Sequence, residues 1–432
     1  MAPSSLDNQR RALLTALALA SASPRLARST EPIRVGVLHS LTGTMAISES
    51  ALRDVLLMLI REQNDKGGLL GRRLQAVVVD PGSDWPTYAA MARQLLERDH
   101  VAVVFGCWTS VSRKAVLPVF EELDGLLFYP VQFEGQESSR NIFYTGATPN
   151  QQAIPAVEYL KVDLGVERWV LLGTDYVYPR TTNKIIEAWL ARQRVPQADI
   201  TTIYTPFGHT RWQETVARIK AIGTSGRHTA VVSTVNGDAN VHFYAELARQ
   251  HVSADEIPVM AFSVGEQELT QLNPVLLAGH LAAWNYFMTI TSPLNGEFIP
   301  RLRLFLNNDQ RVTNDPMEAH YIGFNMWLKA VEKAGTIEAK AVRKALIGIK
   351  IPNLSGGEAE MLSSHTITKP VFIGKIQKNG QFKIVWKSKH LVPGDAWSPY
   401  LPESKDWVAD WSDKVNCGRY DSRERRCLDA KP

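Results

Sequence analysis

The sequence predicts an α/β protein built as two lobes. Short β-branched apolar runs alternate with longer segments whose apolar residues return every three to four positions. This is the pattern of parallel strands joined by crossover helices. The alternation restarts near residue 150, and the 432 residues exceed the ~250–300 at which a single hydrophobic core stops growing. A chain that leaves one lobe, builds another, returns and crosses once more is joined by several strands. Such a joint is a hinge, about which two lobes close on a cleft.

Taken in order, residues 1–30 read as a signal peptide: Arg10 and Arg11 precede an apolar stretch (12–20) and the small residues Ser21, Ala22 and Ser23. The adjacent arginines permit twin-arginine export. No later stretch reaches the ~18 apolar residues of a membrane span. Residues 33–39 predict the first strand, 48–66 a helix stopped by Gly67 and Gly68, 74–80 a second strand and 87–100 a second helix. The run 101–130 repeats the unit: strand 101–105, helix 111–123 with Ser110 or Ser112 placed to cap it, then the apolar run 125–130.

A first crossing is expected at 144–150. Beyond it come helices over 151–164, 181–194, 212–222 and 240–249, interleaved with strands over 168–173, 199–204, 229–234 and 257–262. Residues 281–288 cross back, 315–334 form a helix against the first lobe, and 339–346 another helix. Asn379-Gly380 joins two strand-like runs within 368–387, a hairpin signal. The expected division is 32–148 with 282–350 as one lobe and 149–281 with 351–395 as the other. Residues 396–432 then form a C-terminal extension, in which Cys417 and Cys427 could pair in an oxidising compartment. Cys107 reads as a buried packing residue.

Function classes narrow next. A net charge of +4, with no dense basic run before the tail, argues against nucleic acid. There is no Gly-x-Ser-x-Gly elbow, His-Glu-x-x-His, P-loop or Gly-x-Gly-x-x-Gly after the first strand, so an enzyme is not expected. No Cys-x-x-Cys or Cys/His array suggests a metal, and no cofactor is implied.

In open α/β sheets ligands bind beyond the carboxyl ends of the strands, where helix N-termini offer unpaired N–H groups. Trp108, Thr109 and Ser110 lie at such a place, and an aromatic wall, two hydroxyls and a helix N-terminus suit a small polar molecule with an acceptor atom. Tyr129 ends the next strand, and Tyr176 and Tyr178 flank a strand-end turn in the second lobe. Glu134 and Glu266 are acceptors for N–H donors, with a solvated surface position as the alternative. His39 reads as structural, whereas Trp284 and Tyr286 line the cleft or pack the hinge.

The segment 105–155, FGCWTSVSRKAVLPVFEELDGLLFYPVQFEGQESSRNIFYTGATPNQQAIP, resembles the substrate-binding proteins of urea ABC transporters. Supporting segments are GVLHSLTGTMAISE (36–49), GGLLGRRLQAVVVDPGSDWP (67–86), GTDYVYPR (173–180) and AAWNYF (282–287), and the likeness spans residues 32–400. It implies a type I periplasmic-binding-protein fold, two Rossmann-like lobes on a multi-strand hinge. It also implies a periplasmic location and delivery of urea, or a related small neutral amide, to the permease subunits of an ABC transporter.

In the amide-binding relatives, ligand contacts come from loops matching Trp108–Ser110 and Tyr129–Val131, from tyrosines matching Tyr176 and Tyr178, and from a Ser-Thr pair at the strand ending at Thr234. The amide sensor carries Tyr at the Trp108 position and Thr at Val131. Amino-acid-binding members hold the ligand ammonium with a carboxylate where Ser263 stands here, which implies a neutral ligand, since burying an unpaired charge costs several kcal/mol. The alternatives are a receptor for a short-chain amide or branched-chain amino acid, and a cytoplasmic amide-sensing regulator, against which the signal peptide argues.

Overall fold

A computed structural model describes residues 31–224 and 226–402, together with the backbone of three short strands beyond them. The first five strands are β1 (Ile33–Leu38), β2 (Leu74–Val79), β3 (Val103–Gly106), β4 (Leu127–Tyr129) and β5 (Ile142–Tyr144). They form one parallel sheet in the order β2-β1-β3-β4-β5. Its crossovers are α1 (Ala46–Asp65), α2 (Trp85–Glu97) and α3 (Ser110–Glu122). The strands read as continuous apolar runs because helices cover both faces of the sheet.

The second sheet begins with β6 (Arg168–Thr174), β7 (Ile200–Thr205), β8 (Thr229–Thr234), β9 (Val259–Ala261) and β10 (Leu281–Trp284). Between and around these strands lie α4 (Ala153–Val162), α5 (Val177–Arg192), α6 (Gln213–Gly223), α7 (Ala239–Arg249) and the single turns α8 (Glu266–Leu269) and α9 (Pro274–Leu277). Then follow α10 (Pro293–Leu306), α11 (Asp315–Ala334) and α12 (Ala339–Leu346). The remaining described strands are β11 (Lys350–Pro352), β12 (Glu358–Glu360), β13 (Thr368–Lys369), β14 (Phe372–Ile376), β15 (Phe382–Lys387) and β16 (Val392–Pro393). The order β15-β14-β10-β9-β8-β6-β7 gives a parallel sheet with the Asn379-Gly380 hairpin added antiparallel at one edge.

The lobe division differs from the expected one in two places. β10 is a strand of the second sheet, so the return to the first lobe begins after Trp284. Ile351, Leu354, Ala359, Met361 and Ile367 pack in the same core cluster as β1 and α11, so the third crossing comes after residue 367. Helix α10 and strand β5 carried no usable sequence signal. Pro300 and Gly296 interrupt the helical pattern of α10, and β5 is three residues long. The signal-peptide residues and the Cys417 and Cys427 side chains lie outside the described residues. The tail backbone pairs as β17 (Val408–Asp410), β18 (Cys417–Asp421) and β19 (Arg426–Cys427).

Asn285 ties the three crossings together. Its side-chain amide donates to the carbonyls of Gln151 (3.0 Å) in the first crossing and Pro370 (2.6 Å) in the third. Its own N–H donates to Asp315 Oδ2 at the start of α11 (2.9 Å).

Candidate functional site

Each sheet has one place where successive strands are laid down on opposite sides, and ligands of open α/β sheets bind at such switch points. In the first lobe it lies between β1 and β3, where Leu38 pairs with Gly106. A side chain at Gly106 would place its Cβ 2.3 Å from the Leu38 carbonyl oxygen, so glycine is required there. Cys107 follows with φ +66°, a left-handed conformation costly for a residue with a side chain. That kink lifts residues 108–110 over the sheet end. In the second lobe the switch point lies between β6 and β8, where Gly173 pairs with Thr234. Tyr176 and Tyr178 start α5 there.

The two switch points face one another with the lobes closed. Ser48 on α1 donates to Glu268 on α8 at 2.7 Å, and the rings of Trp85 and Phe207 lie 5.5 Å apart. A Cβ at Gly237 would sit 2.2 Å from Met45 Cε, so the glycine lets the second-lobe loop lie against the first lobe. All ten residues singled out from the sequence for this region are buried: Trp108, Thr109, Ser110, Tyr129, Val131, Glu134, Tyr176, Tyr178, Thr234 and Ser263.

Several of their hydroxyls have internal duties. Thr109, rather than Ser110 or Ser112, caps α3, accepting from the Ser112 N–H at 3.1 Å. Tyr129 donates to the Trp108 carbonyl at 2.6 Å, and Thr234 to the Leu172 carbonyl at 3.2 Å. Ser110 donates to Glu134 Oε2 and accepts from Arg113 Nη1 at 3.1 Å.

Behind Ser110 lies a charge network the sequence did not disclose. The Arg113 guanidinium is fully buried and bonds Glu134 (2.9 Å) and Glu137 (2.8 Å), while Lys114 bonds Glu137 at 2.7 Å. The rings of Tyr129 and Phe133 each lie 4.8 Å from the guanidinium carbon. Two cations thus meet two carboxylates. Burial by itself would raise the Glu137 carboxyl, but Arg113 and Lys114 hold it well below the usual carboxylate range.

Among the buried polar atoms without a hydrogen-bond partner in the protein are Trp108 Nε1, Gln132 Oε1 and Tyr178 OH, all just beyond strand ends of the two lobes. Leaving such a group unpaired costs about 1–3 kcal/mol. Burial pushes the Tyr178 phenol up, with the Gln132 and Ser263 side chains close enough to offset part of that. The set offers a donor, an acceptor and a group that can be either.

A family model for the periplasmic binding protein domain matches residues 33–403. The chain belongs to this family. Its fold is shared with solved substrate-binding proteins of ABC transporters. The amino acid ABC transporter substrate-binding protein from Pseudomonas fluorescens Pf-5 is 18% identical, with a TM-score of 0.73, covering 84% of this chain and 97% of that one. A solute-binding protein from Rhodopseudomonas palustris BisB5, in complex with 3,4-dihydroxybenzoic acid, is 17% identical with a TM-score of 0.72, covering 84% and 98%. The branched-chain amino acid binding protein LivJ from Streptococcus pneumoniae, in complex with isoleucine, is 17% identical with a TM-score of 0.68, covering 84% and 100%. A Geobacillus stearothermophilus protein named limonene hydroxylase is 29% identical over 116 residues, and the match spans 27% of this chain and 21% of that protein.

As a periplasmic binding protein the chain carries a second buried polar cluster beside the hinge. Glu266 on α8 lies near Glu268 and Asp315, Glu318 on α11 lies near Asp315 and Lys369, and Lys369 is 3.6 Å from Asp315. Glu266 is therefore buried, not a surface charge, and Glu134 is likewise buried. Burial pushes the Glu266 carboxyl up to about 8 and Glu318 to about 7. His39 is structural, held between Glu49 (3.1 Å) and His320 (2.7 Å). Trp284 and Tyr286 bond within the hinge region, to the Val264 carbonyl and to Asn295 and Thr313. Among the described residues, no three His, Cys, Asp or Glu side chains are arranged to hold a metal ion. No helix there is long and apolar enough to cross a membrane.

Proposed function

We propose that this protein is an extracytoplasmic receptor that captures urea, or a closely related small neutral amide, in the interlobe cleft and delivers it to an ABC transporter permease. The observation that carries the reading is the charge balance at the cleft. Arg113 and Lys114 are committed to Glu134 and Glu137, which leaves no cation of that network, among the described residues, for a ligand carboxylate. A carboxylate or ammonium ligand seated against that network would enter with an unmatched charge, and desolvating it costs several kcal/mol. A neutral molecule with N–H donors and a carbonyl matches the unpartnered atoms of Trp108, Gln132 and Tyr178. The long sequence likeness at residues 105–155 favours urea within that class.

Calorimetric titration of the mature protein with urea, acetamide, leucine and benzoate in parallel tests this. Heat with urea and none with leucine or benzoate is expected. Leucine or benzoate binding would mean that a charge in the cleft is free to pair, and the reading would fall. A preference for acetamide would move the ligand to the amide branch.

A further inference from the structure

We infer that Gln132 is the residue that distinguishes a two-amino ligand from a one-amino ligand, and that the second lobe sets it up to do so. This deepens the proposed function and rests on it. Gln132 lies on the loop after β4 and is 3% exposed. Both hydrogens of its amide are used across the cleft: Nε2 donates to the Phe262 carbonyl at 2.8 Å and to Ser263 Oγ at 2.9 Å. Those two bonds fix the orientation of the amide, because turning it over would press its oxygen against the Phe262 carbonyl. The oxygen is thereby held as an acceptor, and it has no partner in the protein. Phe262 and Ser263 belong to the second lobe, so the acceptor is aligned only when that lobe is in place.

The cleft then holds two acceptors of different strength. Glu134 is a carboxylate ion-paired with Arg113, while Gln132 is a neutral amide. A charged acceptor makes the stronger hydrogen bond, so a ligand with a single amino group places it on Glu134. Its remaining end, the methyl group of acetamide, then meets Gln132 Oε1 and leaves it unpaired. Urea satisfies both. Gln132 is thus the residue against which the second amino group is read, and the Trp108 N–H remains for the carbonyl.

The test is calorimetry of the full mature chain with urea and acetamide, in the wild type, Gln132→Met and Gln132→Glu. Gln132→Met removes the acceptor at similar volume. It is expected to weaken urea about 5- to 30-fold and acetamide little, which collapses the preference for urea. Gln132→Glu keeps an acceptor and loses the bonds to Phe262 and Ser263. With its alignment lost, the acceptor no longer meets the second amino group, and urea is expected to weaken more than acetamide, so the preference for urea falls. Thermal melting of each variant checks that it folds, and Gln132→Glu still decides if Gln132→Met does not. Unchanged urea affinity in Gln132→Met, or equal weakening of both ligands in it, overturns the inference and leaves the receptor reading standing. An unchanged urea-to-acetamide ratio in Gln132→Glu overturns it too. A wild type that binds neither ligand overturns the receptor reading and this inference with it.

Discussion

Two clusters of buried carboxylates sit on this molecule, and they have met the same problem in opposite ways. In the first lobe, Glu134 and Glu137 are matched by Arg113 and Lys114, and Glu137 stays ionised far into the acid range. Beside the hinge, Lys369 lies against Asp315 and acts on Glu318, and burial raises the pKa values of these two and of Glu266 and Glu268. A buried carboxyl with a good partner keeps its charge, and one without it takes up a proton. The first arrangement provides a rigid, electrically neutral wall. The second should make the joint of the two lobes sensitive to pH.

The largest expected effect breaks the first cluster. Arg113→Met leaves two buried carboxylates with only Lys114, and should destabilise the protein by about 3–5 kcal/mol in denaturant unfolding. A loss below about 1 kcal/mol would mean that the network is not the compensated pair described here.

The pH dependence of the two clusters should differ in sign. Unfolded carboxyls titrate near ~4.3, so from there up to about 8 folded Glu266 holds a proton that the unfolded chain has released. Its contribution is full below ~4.3 and is lost as pH rises through the folded value, by roughly 1.4 kcal/mol per pH unit at most. Glu318 adds the same trend up to about 7. Glu137 acts the other way, stabilising above the ordinary carboxylate value and losing that as pH falls. Melting temperature should rise from pH 8.5 to 5.5, and Glu266→Gln should flatten that rise. An identical slope in Glu266→Gln would remove Glu266 from the hinge account.

A smaller effect separates stability from binding at the cleft. Tyr178→Phe removes a buried hydroxyl with no partner, so the melting temperature should hold or rise slightly. Urea affinity should still fall by about 5- to 10-fold, seen by calorimetry. An unaltered affinity would take Tyr178 out of the ligand site.

The smallest effect joins the two regions. Ser48→Ala removes the hydroxyl that reaches Glu268 across the cleft. It should cost the closed form about 1 kcal/mol, read as a roughly fivefold weaker Kd. A weakening seen in the urea off-rate and not in the on-rate would place that bond late in closure.

The sequence by itself determined the strand–helix alternation, the two lobes and the Asn379-Gly380 hairpin. It also placed Trp108–Ser110 and Tyr176–Tyr178 at strand carboxyl ends. These follow from local periodicity and from turn chemistry that a few neighbouring residues decide. Only the tertiary structure decided which polar side chains are buried and what they pair with. Glu134 and Glu266 read as ordinary charges until residues distant in the chain close over them. Gln132 finds its partner Ser263 131 positions away, and His39 finds His320 281 positions away. The environment of a charge is set by atoms within a few ångströms, and those atoms come from parts of the chain that local pattern does not connect.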